Sequence, residues 1–183
     1  MNDTPGETEP SFVEVGSGNS ARRIAVRARK GGQPGLFWLG GFNSDMKGTK
    51  ALALDAWAAD HGRSCVRLDY SGHGESGGAF IDGTIGRWLE ESVTVFAQFC
   101  SGPTVVIGSS MGGWMALLLA REIAKRTTEA SLAGLVLIAP APDFTEALMW
   151  KGFSPEIRHE IETKGVWLRP SEYGDGTPYP ITR

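Results

Sequence analysis

The sequence contains few cysteines and histidines, and it has no long apolar run. Its 183 residues include 2 cysteines and 3 histidines. None of them stands in a Cys-x-x-Cys or His-Glu-x-x-His pattern, so no metal site is expected. Cys65 and Cys100 lie in apolar surroundings, which predicts buried free thiols and fits a reducing cytoplasm. No apolar run approaches the roughly 18 residues that a membrane span needs, so no membrane segment is expected.

The sequence also lacks an excess of either charge. Its formal net charge is -3, with 41% hydrophobic and 21% charged residues, as in ordinary soluble domains. Residues 1–10 are acidic and polar, lack the layout of a secretory or import signal, and are expected to form a disordered tail. We therefore expect a cytoplasmic protein without a nucleic-acid partner. One basic cluster predicts the solvated face of a strand: Arg22, Arg23, Arg27, Arg29 and Lys30.

Short apolar runs alternate with helical segments along most of the chain. Residues 12–15 and 22–27 predict a β-hairpin. Helical periodicity is found at 47–60, after Thr84, and at 111–126. This alternation predicts an α/β fold in one domain, with a mostly parallel sheet and helices on both faces. Four runs are typical of strands buried on both faces: 36–39, 65–68, 105–107 and 135–138.

The C-terminal part of the sequence has a different character. Five prolines follow Pro140, and one helical stretch is predicted near 156–164. We interpret 11–140 as the core and 141–183 as a lid-like excursion. Because a parallel fold that stops in a loop is unfinished, we expect it to be incomplete at the C-terminus. The edge at 135–138 would then be open to self-association. One apolar set could line an acyl pocket or simply pack on the sheet: Phe144, Leu148, Met149, Trp150, Phe153 and Trp167.

The segment Gly108-Ser109-Ser110-Met111-Gly112 is the strongest candidate for chemistry. It matches G-x-S-x-G between a predicted strand and a predicted helix, which is the context of a nucleophile elbow. Ser110 stands at its centre and is the candidate nucleophile. Gly108 and Gly112 fit a sharp, strained turn. The Met111 amide at the helix start is a candidate oxyanion donor. The alternative is a Gly/Ser-rich turn without a catalytic role.

A second oxyanion donor is expected after the first parallel strand. Gly40 and Gly41 precede Phe42 there, and glycine lets the backbone of Phe42 approach a substrate closely. The Phe42 amide is therefore the candidate, and an ordinary strand-end turn is the alternative. Residues 72–77 spell G-x-G-x-x-G, but no helix is predicted at the third glycine. A dinucleotide site is therefore not expected.

None of the three histidines stands where a triad base is expected. The chain order in this class of hydrolase is Ser, then acid, then His. His61 follows a helix, His73 precedes Ser110, and His159 lies in the excursion. A surface or structural role is favoured for each of them. We expect the catalytic acid and base beyond residue 183.

Five segments carry a family resemblance, in sequence and in order: FWLGGFNSDMKGTKALALDAWA, SCVRLDYSGHGESGG, GTIGRWLEE, VIGSSMGGWMALLLA and KGVWLRPSEYG. They resemble the α/β-hydrolase subfamily of the palmitoyl-protein thioesterase, also called mycophenolic acid acyl-glucuronide esterase, and the chain looks like a bacterial relative. The resemblance implies an α/β-hydrolase fold, Ser110 as nucleophile, and the Phe42 and Met111 amides as oxyanion donors. It also implies a structural loop around His73, and a catalytic Asp and His beyond residue 183.

These observations predict a serine hydrolase without a cofactor. It would cleave carboxylic esters or thioesters, of small molecules or of acylated proteins, through an acyl-enzyme on Ser110. One alternative is a catalytically incomplete fragment that binds a ligand or a partner. Another is a peptidase of the same fold, although the sequence offers no acidic pair to hold an amino terminus.

Overall fold

The computed structural model describes residues 9–126, 129–171 and 176–183. The strands of its main sheet are β1 (Ser11–Val15), β2 (Arg22–Arg29), β3 (Gly32–Leu39), β4 (Arg63–Leu68), β5 (Gly102–Ser109) and β6 (Ala130–Ile138). Their order across the sheet is β1-β2-β4-β3-β5-β6. The first two strands form an antiparallel hairpin, and the other four are mutually parallel. The predicted α/β fold with a mostly parallel sheet is confirmed. Residues 1–8, most of the predicted tail, lie outside the described residues.

Strand β4 lies between β2 and β3, although it follows both in the sequence. Leu68 of β4 pairs with β2 on one side, and Val66 pairs with β3 on the other. Residues 30–31 connect β2 to β3 past the start of β4. A Cβ at Gly31 would lie 2.2 Å from the carbonyl carbon of Arg63, so this close crossing requires glycine.

Helices cover both faces of the sheet, as predicted. They are α1 (Thr49–Asp60), α2 (Ile85–Phe99), α3 (Met111–Ile123) and α4 (Pro155–Lys164). Alternate residues of β3 point to opposite faces. Phe37 joins the large core beneath α2 and α3, whereas Trp38 joins a smaller cluster with Ala51 and Ala58 of α1. Thr84 caps α2, since its side chain accepts a hydrogen bond from the Arg87 amide at 3.2 Å.

The segment after β6 contains more regular structure than predicted. A π-helical turn (Thr145–Trp150) precedes α4, and an antiparallel pair follows it, β7 (Trp167–Arg169) with β8 (Tyr179–Ile181). Strands of three residues are too short for a pattern of alternation to be recognised in the sequence. Among the described residues, β6 has β5 as its single neighbour in the sheet. Its Val136 and Ile138 side chains are 46% and 37% exposed.

The basic cluster of β2 differs from the prediction. Arg22 and Arg27 are buried, and carboxylates from distant parts of the chain pair with them. Arg22 contacts Glu91 of α2, and Arg27 contacts Glu75 after β4. The expectation of a solvated face was wrong for these two arginines because their partners come from other elements. No helix in the described ranges is both long enough and apolar enough to cross a membrane.

Candidate active site

Ser110 lies in a tight turn between β5 and α3. Its backbone has φ 55° and ψ -119°, a left-handed conformation that is costly for a residue with a side chain. The Ser110 amide donates to the Ile138 carbonyl at 3.0 Å, and the Ser110 carbonyl accepts from the Gly113 amide at 2.9 Å and the Ala141 amide at 3.1 Å. The predicted strand-turn-helix is present, and the ends of two strands hold its strained residue in place.

Glycines let three backbone segments meet beneath Ser110. A Cβ at Gly112 would lie 2.0 Å from the Leu39 carbonyl oxygen, and a Cβ at Gly108 would lie 2.1 Å from the Gly112 carbonyl oxygen. Both distances are far below any normal contact, so only glycine fits. The end of β3, the turn at Ser110 and the start of α3 are therefore in direct contact.

The loop after β3, residues 40–48, passes beside Ser110. A Cβ built on Gly41 would lie 3.6 Å from the Ser110 Cβ. Phe42 follows directly, so its backbone lies at the edge of the same site. Met111 is the first residue of α3, and its amide has no acceptor within the helix. The structure thus brings together the sequence-predicted residues Gly41, Phe42, Ser110 and Met111.

Side chains at and after the end of β4 hold the loop 40–48. The Met46 amide donates to Asp69 Oδ1 at 2.6 Å, and Arg67 donates to the Met46 carbonyl at 2.8 Å. The Asn43 amide donates to His73 Nε2 at 3.2 Å. Sequence analysis missed Arg67 and Asp69. Their position at the end of a buried strand was the available signal, because such ends line the site in parallel sheets.

The turn at 72–77 wraps around the Asp69 carboxylate. A Cβ at Gly74 would lie 2.1 Å from Asp69 Oδ2, which also accepts the Glu75 amide at 2.8 Å. Burial raises the pKa of Asp69, while the Glu75 and Met46 amides act in the opposite direction. The glycines of the G-x-G-x-x-G pattern thus serve a turn, and the chain continues into a 3-10 turn (Phe80–Asp82) instead of an α-helix.

The three histidines lie in different surroundings. His61 is exposed at the end of α1 and stacks on Trp57, with ring centroids 4.2 Å apart. His159 is exposed on α4, and His73 is 5% exposed beneath the loop 40–48. Within 9–126, 129–171 and 176–183, no side chain is hydrogen-bonded to the Ser110 hydroxyl. The same ranges contain no group of three or more metal-binding side chains.

Phe42 lines three cavities, one of which lies towards Arg169 and Tyr179. The other two bear on the site. One of about 330 Å³ reaches Ser110 and has polar walls that include Ser44, Asp45 and Lys50. The other, of about 250 Å³, lies between the turn at 80–88 and the segment after β6. Most of its lining is apolar: Phe42, Phe80, Ile81, Ile85, Trp88, Met149, Trp150, Phe153, Pro180 and Ile181. Polar and charged residues also line it: Thr84, Thr145, Glu146, Thr182 and Arg183.

The apolar set of the excursion divides between the two roles considered for it. Met149, Trp150 and Phe153 line the apolar cavity. Phe144 is buried, with its ring 5.5 Å from the Phe42 ring, whereas Leu148 is 65% exposed. Trp167 packs on Phe153 with ring centroids 5.3 Å apart. Pocket lining and ordinary packing therefore each account for part of this set.

Known proteins share both the sequence and the fold. Residues 31–181 match the model of the Alpha/beta hydrolase family. The mitochondrial palmitoyl-protein thioesterase ABHD10 is 36% identical in Pongo abelii and 35% identical in Homo sapiens, over 158 residues that make up 86% of this chain and 50% of each relative. The chain therefore spans about half the length of these curated relatives.

Solved structures agree with the sequence comparisons. An Agrobacterium vitis S4 protein assigned as a hydrolase superposes with a TM-score of 0.90 and 46% identity, over 96% of this chain and 68% of that chain. Mouse alpha/beta hydrolase domain-containing protein 10 gives a TM-score of 0.77 and 30% identity, over 96% of this chain and 66% of that chain. Together with the matched residues 31–181, these similarities show that the chain belongs to the alpha/beta hydrolase family.

Proposed function

We propose that this chain carries the nucleophile of a serine hydrolase that cleaves esters or thioesters through an acyl-enzyme on Ser110. One observation carries the proposal. Ser110 is held in a left-handed turn at the start of α3, with Gly41 and Phe42 beside it. A serine in an ordinary turn requires neither a strained backbone conformation nor neighbouring glycines.

The proposed chemistry has two steps. Ser110 Oγ attacks the acyl carbonyl carbon, the bond from that carbon to the alcohol or thiol breaks, and water later hydrolyses the Ser110 ester. The Phe42 and Met111 amides donate hydrogen bonds to the oxyanion, and the positive end of α3 adds to its stabilisation. A base must accept the Ser110 proton and pass it to the departing alcohol or thiol, and it must accept a proton from the water that hydrolyses the Ser110 ester. Under the proposal, that base and its acid lie outside these 183 residues.

The apolar cavity supports an acyl substrate. Its volume of about 250 Å³ and its aromatic walls suit a hydrocarbon group, and Phe42 separates it from the polar cavity at Ser110. The relatives are named palmitoyl-protein thioesterases, which supports an acyl thioester or ester as the substrate class. Under the proposal the acyl chain enters the apolar cavity, and the polar cavity receives the leaving group.

A fluorophosphonate probe tests the nucleophile. The protein containing this chain is treated with the probe, digested and mapped by mass spectrometry. We expect label on Ser110 in the parent protein and in the matched control Ser109→Ala, and no label in Ser110→Ala with an unchanged circular dichroism spectrum. Hydrolysis of short p-nitrophenyl esters should be lost in Ser110→Ala alone. Label on Ser109, or full activity of Ser110→Ala, contradicts the proposal.

A binding module is the second candidate, and one observation favours it. No side chain of the described residues is hydrogen-bonded to the Ser110 hydroxyl, as is expected of a serine without a base. Ester hydrolysis by the protein containing this chain separates the cases, because a serine hydrolase turns its substrate over and a binding module does not. The 183-residue chain alone should be slow in either case, since a serine without a base is a poor nucleophile at neutral pH. Full turnover by that chain would mean that His61, His73 or His159 serves as the base.

A further inference from the structure

We propose that His73 is a positioning residue, whose neutral imidazole holds the Phe42 amide in place by accepting a hydrogen bond from the Asn43 amide. This inference rests on the proposed function, because Phe42 is an oxyanion donor only in a serine hydrolase. It gives His73 a role other than that of the triad base or of a merely structural side chain.

The two ring nitrogens of His73 have different partners, and these fix the protonation of the ring. Nδ1 lies 3.2 Å from the Ser71 carbonyl oxygen, which can only accept, so Nδ1 carries the proton. Nε2 lies 3.2 Å from the Asn43 amide, which can only donate, so Nε2 presents its lone pair. Both hydrogen bonds exist together only in the neutral Nδ1–H tautomer.

The hydrogen bond acts directly on the backbone next to the proposed donor. The Asn43 N–H belongs to the peptide group that follows Phe42, and Asn43 has φ 55°, a conformation that needs support. On the other side, Gly41 lies beside Ser110, since a Cβ built on it would be 3.6 Å from the Ser110 Cβ. The Phe42 backbone therefore lies between Ser110 and the residue that His73 holds, and the direction of its amide depends on the His73–Asn43 hydrogen bond.

One aromatic cluster fixes the His73 ring and the Phe42 ring together. The centroid of the His73 ring lies 5.0 Å from that of Phe80 and 5.2 Å from that of Trp88. The Phe42 ring packs on the same two residues, at 5.1 Å and 6.1 Å. Met46, farther along the loop, is held separately by Asp69 and Arg67. Loss of the His73 bond should therefore release the Phe42–Asn43 segment without releasing the whole loop.

Protonation of His73 would reverse its role. A proton on Nε2 would face the Asn43 N–H, donor against donor. Burial lowers the pKa of His73 from its ordinary value of 6.5, while the Ser71 carbonyl and the Asp45 carboxylate raise it. Asp45 is the charged group of the loop that acts on the ring, and Glu91 of α2 is bonded to Ser71 and Arg22. The bond should thus be intact at neutral pH and be lost only as the pH falls through the lowered pKa of His73.

NMR spectroscopy of this chain tests the geometry without any catalysis. Long-range 1H–15N spectra at pH 7.5 should show His73 protonated on Nδ1 and unprotonated on Nε2. The Asn43 amide signal should change with the titration of His73 as the pH falls below 6.5, whereas the Met46 amide, bonded to Asp69, should not follow it. The proposal is overturned if His73 is the Nε2–H tautomer, or if the Asn43 amide signal does not change as His73 titrates.

Kinetics of the protein containing this chain test the consequence. His73→Phe keeps an aromatic ring but removes the acceptor. We expect kcat to fall by up to the ~10²- to 10³-fold that loss of one oxyanion donor causes, with a much smaller change in KM. His73→Gln offers an amide oxygen to Asn43, so it should recover most of the turnover. In the parent, protonation of His73 below pH 6.5 should lower kcat, and the His73→Gln variant should lack that part of the decrease because glutamine does not protonate.

The outcomes separate this inference from the proposed function. Parent turnover in a folded His73→Phe variant, or a His73→Gln variant as slow as His73→Phe, overturns the positioning role. If both variants fail to fold, the tautomer and the Asn43 titration decide. If the fluorophosphonate probe does not label Ser110 while the NMR result holds, the proposed function fails and the contact of His73 with Asn43 stands as a structural one.

Discussion

The glycines around Ser110 differ in what a methyl group would meet. At Gly112 an added Cβ would lie 2.0 Å from the Leu39 carbonyl oxygen, which belongs to a backbone that cannot move aside. At Gly41 the nearest atom would be the Ser109 carbonyl oxygen at 3.5 Å, an ordinary contact. Gly112 is therefore required for packing, whereas Gly41 leaves open the space directly beside the Ser110 side chain.

Substitution by alanine should therefore lower stability at Gly112 and turnover at Gly41. Gly112→Ala should lower the free energy of unfolding by roughly 1–3 kcal/mol, because overpacking forces two backbones apart. Gly41→Ala should leave the melting temperature nearly unchanged but lower turnover, since its methyl group would occupy the space between Phe42 and Ser110. Thermal unfolding and ester hydrolysis measure the two effects. A stable Gly112→Ala variant, or a Gly41→Ala variant that unfolds early with normal turnover, contradicts the assignment.

The two cysteines are buried free thiols, as the sequence predicts. Burial raises the pKa of Cys65 to about 12, with the Asp55 carboxylate adding to the effect, and burial raises the pKa of Cys100 to about 12 as well. At pH 8 the thiolate fraction of each is on the order of 10⁻⁴. The cytoplasmic location inferred from these thiols stays a prediction.

Iodoacetamide should therefore react with neither cysteine in the folded protein at pH 8, and with both in urea. Mass spectrometry measures the modification. The same pKa values predict a loss of stability in alkali. Unfolded thiols ionise near 9.0, so the free energy of unfolding should fall as the pH rises from there towards 12. Rapid modification of the folded protein would contradict the burial of these side chains.

Among the elements, α2 is tied to the sheet by a buried ion pair. Arg22 of β2 contacts both Glu91 and Glu90 of α2, and the side chains of these two glutamates are 0% and 53% exposed. Glu91 also accepts hydrogen bonds from the Ser71 amide and hydroxyl, at 2.9 Å and 2.7 Å. One carboxylate thus joins β2, α2 and the turn that leads to His73.

Adjacent glutamates provide a matched pair of variants. Glu91→Gln should lower the free energy of unfolding by about 3–5 kcal/mol, because it leaves the buried Arg22 charge without its buried partner. Glu90→Gln should cost less than about 1 kcal/mol, since water already screens that pair. Urea denaturation with a common slope measures both values. Equal losses of unfolding free energy in the two variants would mean that burial of Glu91 does not strengthen its ion pair with Arg22.

The positions of the strands along the chain were predicted better than the strands and side chains that they pair with. The strands at 36–39, 65–68, 105–107 and 135–138 were recognised because apolar runs carry a local pattern, and each lies within an observed strand. Burial on both faces was wrong for 135–138, where Val136 and Ile138 are exposed at the edge of the sheet. The position of β4 between β2 and β3 and the partners of Arg22 were not recognised, because they depend on pairing between distant residues. His73 was judged structural for the same reason, since its contact with Asn43 exists only in the fold.

At the scale of the whole molecule, the open edge at β6 has a consequence in solution. Its backbone faces no further strand of the described chain, and Val136 is 46% exposed on it. Unpaired amides and carbonyls on an apolar strand are a template for association. We propose that the 183-residue chain self-associates through this edge.

Sedimentation velocity over a range of protein concentrations tests this association. The parent chain should shift towards larger species as its concentration rises, and Val136→Lys should weaken the shift by placing a charge on the edge strand. Leu117→Lys is the control, because Leu117 has a similar exposure of 36% but lies on α3. A parent chain that remains monomeric, or two variants that behave alike, would contradict the role of β6.

The insertion of β4 between β2 and β3 also bears on how the chain folds as it is made. Synthesis proceeds from the N-terminus, at about 5–20 residues per second. When β3 has left the ribosome, its neighbour β4 is still 24 residues away, from Leu39 to Arg63. Until β4 emerges, the edges of β2 and β3 that pair with it are unpaired, although the connection between β2 and β3 is already complete. A nascent chain stalled before Arg63 should therefore recruit chaperones, and one extended past Leu68 should release them.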